Sequence, residues 1–232
     1  MRELGVIFDV DGVLVDSYRA HFESWRRVAH AVGLEMDERQ FAATFGRTSQ
    51  DIIRQLWGKH LPPGTDIAAL DDLKEAAYRD ILRQNFPAMD GAPELLAALH
   101  RSGFRLAVGS SGPPENVELV IQQLHAAKLF QASVNGKQVS HGKPHPEVFL
   151  TAREKLGLAA GKCAVVEDAP AGIEAARRAG MAAIALTGTA PPEILALRAH
   201  LVVDSLRDLS PRRIADLIES VRAGEKIEPT EP

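Results

Sequence analysis

Near its amino terminus the chain reads Leu4-Gly-Val-Ile-Phe8, followed at once by Asp9-Val-Asp11-Gly12. This nearly unbroken apolar run predicts a strand that is buried on both faces, as in the centre of a parallel sheet. The two aspartates come where this strand ends, and Gly12 permits the chain to turn there. The stretch therefore predicts an α/β fold with charged groups at the carboxyl end of its first strand.

The composition is that of an ordinary globular protein. The chain has 232 residues, of which 45% are hydrophobic, and 27 Lys+Arg against 31 Asp+Glu give a formal net charge of −4. This length allows one main domain with a smaller insertion. The weak negative charge argues against a dedicated nucleic-acid binder, because such proteins cluster Lys and Arg to neutralise phosphates.

Compartment and partners are predicted from the cysteine content and the apolar runs. The one cysteine, Cys163, cannot form an internal disulfide, and Met1 is followed by Arg-Glu-Leu-Gly rather than by an apolar segment. No run approaches the roughly 18 to 20 apolar residues that a membrane span needs. We therefore expect a cytoplasmic protein that acts without a membrane or a nucleic acid, and we expect a monomer.

The rest of the chain divides into a helical block and an alternating region. Apolar residues spaced by three and four predict helices at 17–33, 38–45, 49–57 and 70–82. Beyond residue 88, strand-like runs alternate with helical ones. The strand-like runs are 104–108, 132–134, 163–166, 182–186 and 201–203. Such alternation predicts a doubly wound parallel-sheet (Rossmann-like) α/β core.

These patterns define the domain boundaries. We predict a catalytic core of residues 1–16 and 88–222, with an all-helical domain inserted at 17–87. Residues 223–232, which contain Glu and Pro and few apolar residues, are predicted to form a flexible tail.

Polar residues follow three of the predicted strands. Asp9 and Asp11 follow the first strand, the turn Gly109-Ser-Ser-Gly112 follows the second, and Glu167-Asp168 follows a later one. In an open parallel sheet, ligands bind beyond the carboxyl ends of the strands. Four carboxylates at one rim repel one another unless a cation or bound protons neutralise them. Because all the ligand atoms are oxygens, Mg²⁺ is the expected cation.

Four motifs in this order resemble those of the haloacid dehalogenase superfamily, in particular its β-phosphoglucomutase-like phosphatase branch. The motifs are Asp9-x-Asp11-Gly-Val-Leu-Val-Asp-Ser, Ser110 in a strand-end turn, Gly142-Lys143-Pro-x-Pro-Glu-Val-Phe149, and Val166-Glu167-Asp168-Ala-x-Ala-Gly172. The match covers nearly the whole chain, with helices inserted where the branch carries its cap domain. The resemblance implies a phosphatase that hydrolyses a small phosphorylated metabolite, with a sugar phosphate as the expected substrate.

The resemblance also implies a role for each motif residue. Asp9 is expected to be the nucleophile that forms an aspartyl-phosphate. Asp11 is expected to protonate the leaving alcohol and then to activate water as a base. Ser110 is expected to hold phosphoryl oxygens, and Lys143 to neutralise charge on the phosphoryl group and on Asp9.

A Mg²⁺ cofactor is implied as well. Its expected ligands are Asp9, the main-chain carbonyl of Asp11, and Asp168. Glu167 is expected either as a further ligand or as a support for the others. The ion and Lys143 together would allow an anionic carboxylate to approach an anionic phosphate.

Some of these residues have a plain structural interpretation. Asp168 is also a candidate N-cap for the helix that follows it, and Lys143 is also a candidate solvated loop charge. His141 and His145, on either side of Lys143, lack the spacing of typical metal ligands and are interpreted as loop residues.

Further substrate-binding candidates are His21, Arg47 and Ser111. His21 lies on the first cap helix, where the branch also has a histidine, and Arg47 lies in a segment that resembles the branch's specificity loop. Arg47 has an alternative as an exposed neighbour of a helix N-cap at Thr48. Lys74 resembles a substrate-facing lysine, but a lysine on the helix surface is the default interpretation.

Two other functions fit the motifs. One is a hexose-phosphate mutase of the β-phosphoglucomutase type, whose pattern places an arginine three residues after the cap glycine. In this chain that glycine is Gly46 and the position holds Ser49. The other is a non-catalytic phosphometabolite-binding protein, which is disfavoured because the nucleophile, the acid, the lysine and the metal carboxylates are all present.

Overall fold

The computed structural model describes residues 3–44 and 49–224. The chain divides into two compact units, and we call Met1–Asp16 with Ala88–Pro232 the core unit and Ser17–Pro87 the helical unit. Arg47 and Thr48, and most of the predicted tail, lie outside the described residues. Among the described helices, none has the length and apolar character needed to cross a membrane.

Six parallel strands form the sheet of the core unit. They are β1 (Gly5–Phe8), β2 (Arg105–Gly109), β3 (Phe130–Val134), β4 (Cys163–Glu167), β5 (Ala182–Leu186) and β6 (Leu201–Val203). Their order in the sheet is β3-β2-β1-β4-β5-β6, so β1 lies between β2 and β4. The order reverses beside β1, as in other doubly wound sheets. The predicted fold class is confirmed.

Both faces of the sheet are covered. Val6, Ile7 and Phe8 are all fully buried, although successive side chains of a strand point to opposite faces. Ile7 belongs to a cluster that includes Phe149 and Ile173 from two helices of the core unit. Burial on both sides explains why the central strands are continuous apolar runs rather than alternating ones.

The helical unit contains α1 (Tyr18–Ala31), α2 (Glu38–Ala42), α3 (Ser49–Ile52) and α4 (Ile67–Gln84). Helix α3 continues as a π-helical segment at Ile53–Trp57, where a single α-helix was predicted. Helix α4 begins earlier than predicted because Asp66 caps it, accepting from the N–H groups of Ala68 and Ala69. The core of this unit includes Trp25 and Trp57, whose rings meet edge to face at 5.5 Å.

The helices of the core unit are α5 (Ala92–Arg101), α6 (Pro114–Gln123), α7 (Glu147–Lys155), α8 (Pro170–Arg178), α9 (Pro192–Ala196) and α10 (Pro211–Ala223). Proline in the first turn begins most of them, because its fixed φ suits the start of a helix. Helix α10 extends through Ala223, one residue into the predicted tail, and Gly224 with φ 74° ends it.

Candidate active site

Asp9 and Asp11 lie in a tight turn directly after β1. The turn is closed by a hydrogen bond from the N–H of Gly12 to the carbonyl of Val15 at 2.9 Å. Gly12 has φ 76°, a conformation that favours glycine. A Cβ at this position would also collide with the carboxylate of Asp168. Glycine is therefore needed here both for the turn, as predicted, and for the space that it leaves to Asp168.

Lys143 joins two carboxylates that come from different strand ends. Its Nζ lies 2.6 Å from Oδ1 of Asp9 and 2.7 Å from Oε1 of Glu167. The side chain of Lys143 is only 10% exposed, and its ammonium lies 4.9 Å from the ring centre of Phe149. The interpretation of Lys143 as a solvated loop charge is therefore wrong.

Glu167 and Asp168 follow β4 and are both buried. The second oxygen of Glu167, Oε2, accepts from the N–H of Ala169 at 2.7 Å, so both carboxylate oxygens of Glu167 have partners. Asp168 accepts a hydrogen bond from the hydroxyl of Thr189. Helix α8 begins after Ala169, and among the residues that the structure describes no side chain caps it. The N-cap interpretation of Asp168 is therefore wrong.

Thr189 was not predicted from the sequence. It lies in the segment after β5, a strand that no motif marks. That its hydroxyl is near Asp168 follows only from the pairing of β4 with β5. The available signal was its position just beyond the carboxyl end of a core strand.

Ser110 is buried at the end of β2, and its Oγ accepts from the N–H of Gly112 at 3.0 Å. A Cβ at Gly112 would lie 3.3 Å from Oγ of Ser110 and 3.9 Å from Oδ2 of Asp11. The hydroxyl and the Asp11 carboxylate therefore lie beside the same glycine. Ser111, the other predicted serine, is exposed.

The buried charges do not balance. Asp9, Glu167 and Asp168 each offer a carboxylate oxygen within 4.8 Å of the others, against the one ammonium of Lys143. Burial raises the pKa of Asp9 to about 7, with Lys143 opposing and Glu167 adding to the shift. Burial, Glu167 and Asp9 likewise raise the pKa of Asp168 well above its usual range. A cluster of this kind, with only oxygen ligands and an excess of negative charge, fits Mg²⁺.

His21, a predicted binding residue, lies beside Lys74 in the helical unit. Lys74 is 3% exposed, and its Nζ lies 3.1 Å from Nδ1 of His21 and 2.8 Å from Oε1 of Glu75. The ring of His21 stacks on Tyr78 with 4.1 Å between the ring centres. The default interpretation of Lys74 as a surface lysine is therefore wrong, while Arg47 lies outside the described residues.

Known proteins are similar to this chain in both sequence and fold. Residues 4–180 match the family described as haloacid dehalogenase-like hydrolase. The validoxylamine A 7'-phosphate phosphatase of Streptomyces hygroscopicus subsp. limoneus is 33% identical over 193 residues, which cover 82% of this chain and 88% of that protein. The beta-phosphoglucomutase of Bacillus subtilis (strain 168) is 29% identical, covering 96% of this chain and 98% of that enzyme.

A solved structure has the same fold as this chain. A HAD hydrolase of family IA, variant 3, from Entamoeba histolytica superposes with a TM-score of 0.84 at 27% identity, covering 94% of this chain and 100% of that one. The resemblance drawn from the four motifs is confirmed, and the chain belongs to the haloacid dehalogenase-like hydrolases.

Proposed function

We propose that the protein is a Mg²⁺-dependent phosphatase that hydrolyses a small phosphorylated metabolite, a sugar phosphate, through an aspartyl-phosphate on Asp9. The observation that carries the proposal is the buried Asp9 carboxylate, held 2.6 Å from the Lys143 ammonium and close to Asp168. A carboxylate kept dry and oriented beside positive charge is suited to attack an anionic phosphoryl group. The Streptomyces relative, whose name is that of a phosphatase, supports this assignment.

In the first step an oxygen of Asp9 attacks phosphorus while the bond from phosphorus to the ester oxygen breaks. Asp11 gives its proton to the departing oxygen, so that the product leaves as an alcohol rather than as an alkoxide. The contacts of the two carboxylates support this division of labour, because Asp11 lies beside Gly112 whereas Asp9 contacts Lys143.

In the second step Asp11, now ionised, takes a proton from water, and the water oxygen attacks the phosphorus of the aspartyl-phosphate. The bond between the Asp9 oxygen and phosphorus breaks, which releases inorganic phosphate and restores the Asp9 carboxylate. Asp11 recovers its proton in this step and is ready for the next turnover.

Ser110 and Lys143 bind the phosphoryl group in this scheme. The Ser110 hydroxyl accepts from the N–H of Gly112 and can donate its own hydrogen to a phosphoryl oxygen. Lys143 offsets negative charge on Asp9 and on the transferring group. Burial by itself would lower the pKa of Lys143, but Asp9 and Glu167 outweigh it and raise the pKa above its ordinary value. Lys143 is therefore a permanent cation.

Asp9, Asp168 and the main-chain carbonyl of Asp11 are the groups that would hold Mg²⁺. When bound, the ion supplies positive charge beside the phosphoryl group. We assign Glu167 the supporting role, because its two oxygens already accept from Lys143 and from the N–H of Ala169.

The helical unit is assigned the role of the family's cap. Its two chain connections to the core unit fall at Asp16–Ser17 and Pro87–Ala88. His21, Arg47 and Ser111 stay predictions as substrate-binding residues.

The test is phosphate release from a panel of phosphorylated metabolites, measured with Mg²⁺ and with an excess of chelator. We expect release from sugar phosphates that requires Mg²⁺ and is restored when the ion is added back. Equal rates in chelator would overturn the metal requirement. A protein that binds these esters without hydrolysing any of them would favour the non-catalytic alternative.

A mutase is the second candidate, since the Bacillus relative bears that name. A mutase must hold the distal phosphate of a bisphosphate intermediate while the molecule turns round. Ser49, which begins α3, stands where the mutase pattern has an arginine. Losing one charge-assisted phosphate contact should cost roughly 1.5 to 3 kcal/mol, which favours water as the acceptor.

The two activities are distinguished with β-glucose 1-phosphate and a bisphosphate primer. We expect inorganic phosphate to appear faster than glucose 6-phosphate. Rapid isomerisation with little free phosphate would assign the protein to the mutases instead.

A further inference from the structure

Outside the candidate active site, three side chains with metal-binding atoms meet in the core unit. They are His141, His145 and Glu147, each of which offers one ligand atom within 4.8 Å of the other two. The side chains of His141 and His145 are 66% and 50% exposed, so an ion reaches them directly from solvent. We propose that this cluster binds a divalent transition-metal ion, with Zn²⁺ as the representative. This site is separate from the group of Asp9, Glu167 and Asp168, which we call the Asp9 cluster.

The distances within the cluster suit such an ion. Nδ1 of His141 lies 2.9 Å from Oε2 of Glu147, and Nδ1 of His145 lies 3.8 Å from the same oxygen. Bonds of about 2.0 to 2.2 Å at tetrahedral angles place ligand atoms roughly 3.4 Å apart, which falls between these two values. Small side-chain rotations therefore bring all three atoms to one ion, with solvent completing its coordination.

The carboxylate of Glu147 is already fixed in place. Its Oε1 accepts from the N–H of Ser140 at 2.8 Å, and its Oε2 accepts from the N–H of His141 at 3.0 Å. The Nδ1–H of His141 also donates to Oε2, at 2.9 Å, so an ion takes the place of this proton and leaves both backbone bonds intact. The two imidazole rings are also close, with 4.5 Å between their centres. The Glu147 carboxylate therefore loses little conformational freedom when a metal binds.

The donor set distinguishes this cluster from the Asp9 cluster. Two imidazoles and one carboxylate suit Zn²⁺, Cu²⁺ or Ni²⁺, whereas oxygen-only ligands suit Mg²⁺. The loop interpretation of His141 and His145 rested on their sequence spacing alone. The chain turns between them, with the N–H of His145 donating to the carbonyl of Gly142 at 3.0 Å, and the turn brings both rings to Glu147.

The first test is a calorimetric titration of the whole protein with Zn²⁺ in saturating Mg²⁺. We compare the wild type with His141→Gln, His145→Gln, the double variant, and the control His100→Gln, which removes an exposed histidine of α5. The wild type and the control should bind one more Zn²⁺ than the double variant. Each single variant should bind that ion at least about 10-fold more weakly. Any Zn²⁺ bound at the Asp9 cluster is common to all five proteins and cancels.

The second test identifies the ligands directly. With one equivalent of Cu²⁺, electron paramagnetic resonance should show coupling to two imidazole nitrogens in the wild type and to one in each single variant. Equal Zn²⁺ stoichiometry and affinity in the wild type and the double variant would overturn the proposal, and so would a Cu²⁺ spectrum without nitrogen coupling. Neither readout depends on phosphatase activity, so each outcome is independent of the proposed reaction.

Discussion

Lys143 forms a buried ion pair with a residue that is distant in sequence, unlike most cations of this chain. Arg26 and Glu23 are typical of the others, an exposed pair one helical turn apart that contributes little to stability. Lys143 instead contacts Asp9, 134 residues away in sequence, where neither side chain is more than 10% exposed. Because Lys143 also contacts Glu167, replacing Asp9 leaves the ammonium paired, whereas replacing Lys143 would leave buried carboxylates uncompensated.

Asp9→Asn should separate activity from stability. The amide keeps the size of the side chain and an oxygen that can accept from Lys143, but it cannot attack phosphorus. Phosphate release should fall to background. The free energy of unfolding in urea, measured without Mg²⁺, should not decrease, because burial already disfavours the charged form of Asp9. Wild-type turnover in this variant would remove Asp9 from the mechanism.

Asp11→Asn should impair proton transfer while leaving the nucleophile intact. We expect hydrolysis of alkyl phosphates to fall on the order of 10²-fold or more. The loss should be smaller in the formation of the aspartyl-phosphate from an aryl phosphate, whose leaving group needs less protonation. Single-turnover rates with both ester types measure this difference. Normal hydrolysis of the alkyl esters would exclude Asp11 as the acid.

The sequence predicts the residues of the site where a motif marks them and misses those that only the fold brings near. Asp9, Lys143 and Asp168 were all expected at one rim, and the structure places them there. Thr189 stands in a segment without a motif. Lys74 is buried and contacts His21, which is 53 residues away in the chain, so no local pattern indicates this burial.

At the level of elements, the strands follow their apolar runs closely, and the exceptions have local causes. Strand β5 has the predicted bounds because its run is uninterrupted. Strand β3 begins at Phe130 rather than at 132, since the polar Gln131 interrupts its run. The side chain of Gln131 accepts from the N–H of Leu106 at 2.6 Å, where the register of β2 and β3 shifts. A side chain that replaces a backbone partner in this way is invisible to periodicity.

Gly172, in the first turn of α8, allows that helix to lie close to the active-site carboxylates. A Cβ here would overlap the carboxylate of Glu167. Gly172→Ala should therefore lower the free energy of unfolding by about 1 to 3 kcal/mol, although alanine ordinarily stabilises a helix. Urea denaturation measures the change. Gly161→Ala is the matched control, because its Cβ would make only ordinary contacts with Arg222 at 3.5 Å. Equal stabilities of the two variants would contradict the close approach.

At the scale of the whole molecule, His200 makes stability depend on pH. The ring Nδ1 of His200 accepts from the backbone N–H of Ala183 at 2.9 Å, and the backbone N–H of His200 donates to the carbonyl of Ala183 at 2.8 Å. These two bonds connect the segment before β6 to β5. Burial and then Arg177 lower the pKa of His200 to about 4. The folded protein therefore keeps this imidazole neutral at pH values where the unfolded chain protonates it.

The sign of the effect follows from that depressed pKa. The contribution of His200 is complete above its ordinary pKa near 6.5 and is lost as the pH falls from there toward 4. With allowance for solvent screening of a half-exposed group, about 1 to 2 kcal/mol should be lost. His200→Asn keeps an acceptor for Ala183 and cannot titrate. Its urea unfolding should change less with pH than that of the wild type, and parallel pH profiles would contradict the assignment.

The central place of β1 also affects how the protein is made. Gly5 pairs with Arg105 on one side and with Cys163 on the other, about 100 and 160 residues later in the chain. At roughly 5 to 20 residues per second, a ribosome finishes β4 on the order of 10 to 30 s after β1 has emerged. In the first part of that interval the helical unit is completed, and the apolar strand beside Asp9 still lacks both neighbours; β2 follows next, and β4 arrives last. The nascent chain therefore carries an apolar strand with at least one open edge until β4 emerges, and it assembles the candidate site only when Asp168 leaves the exit tunnel.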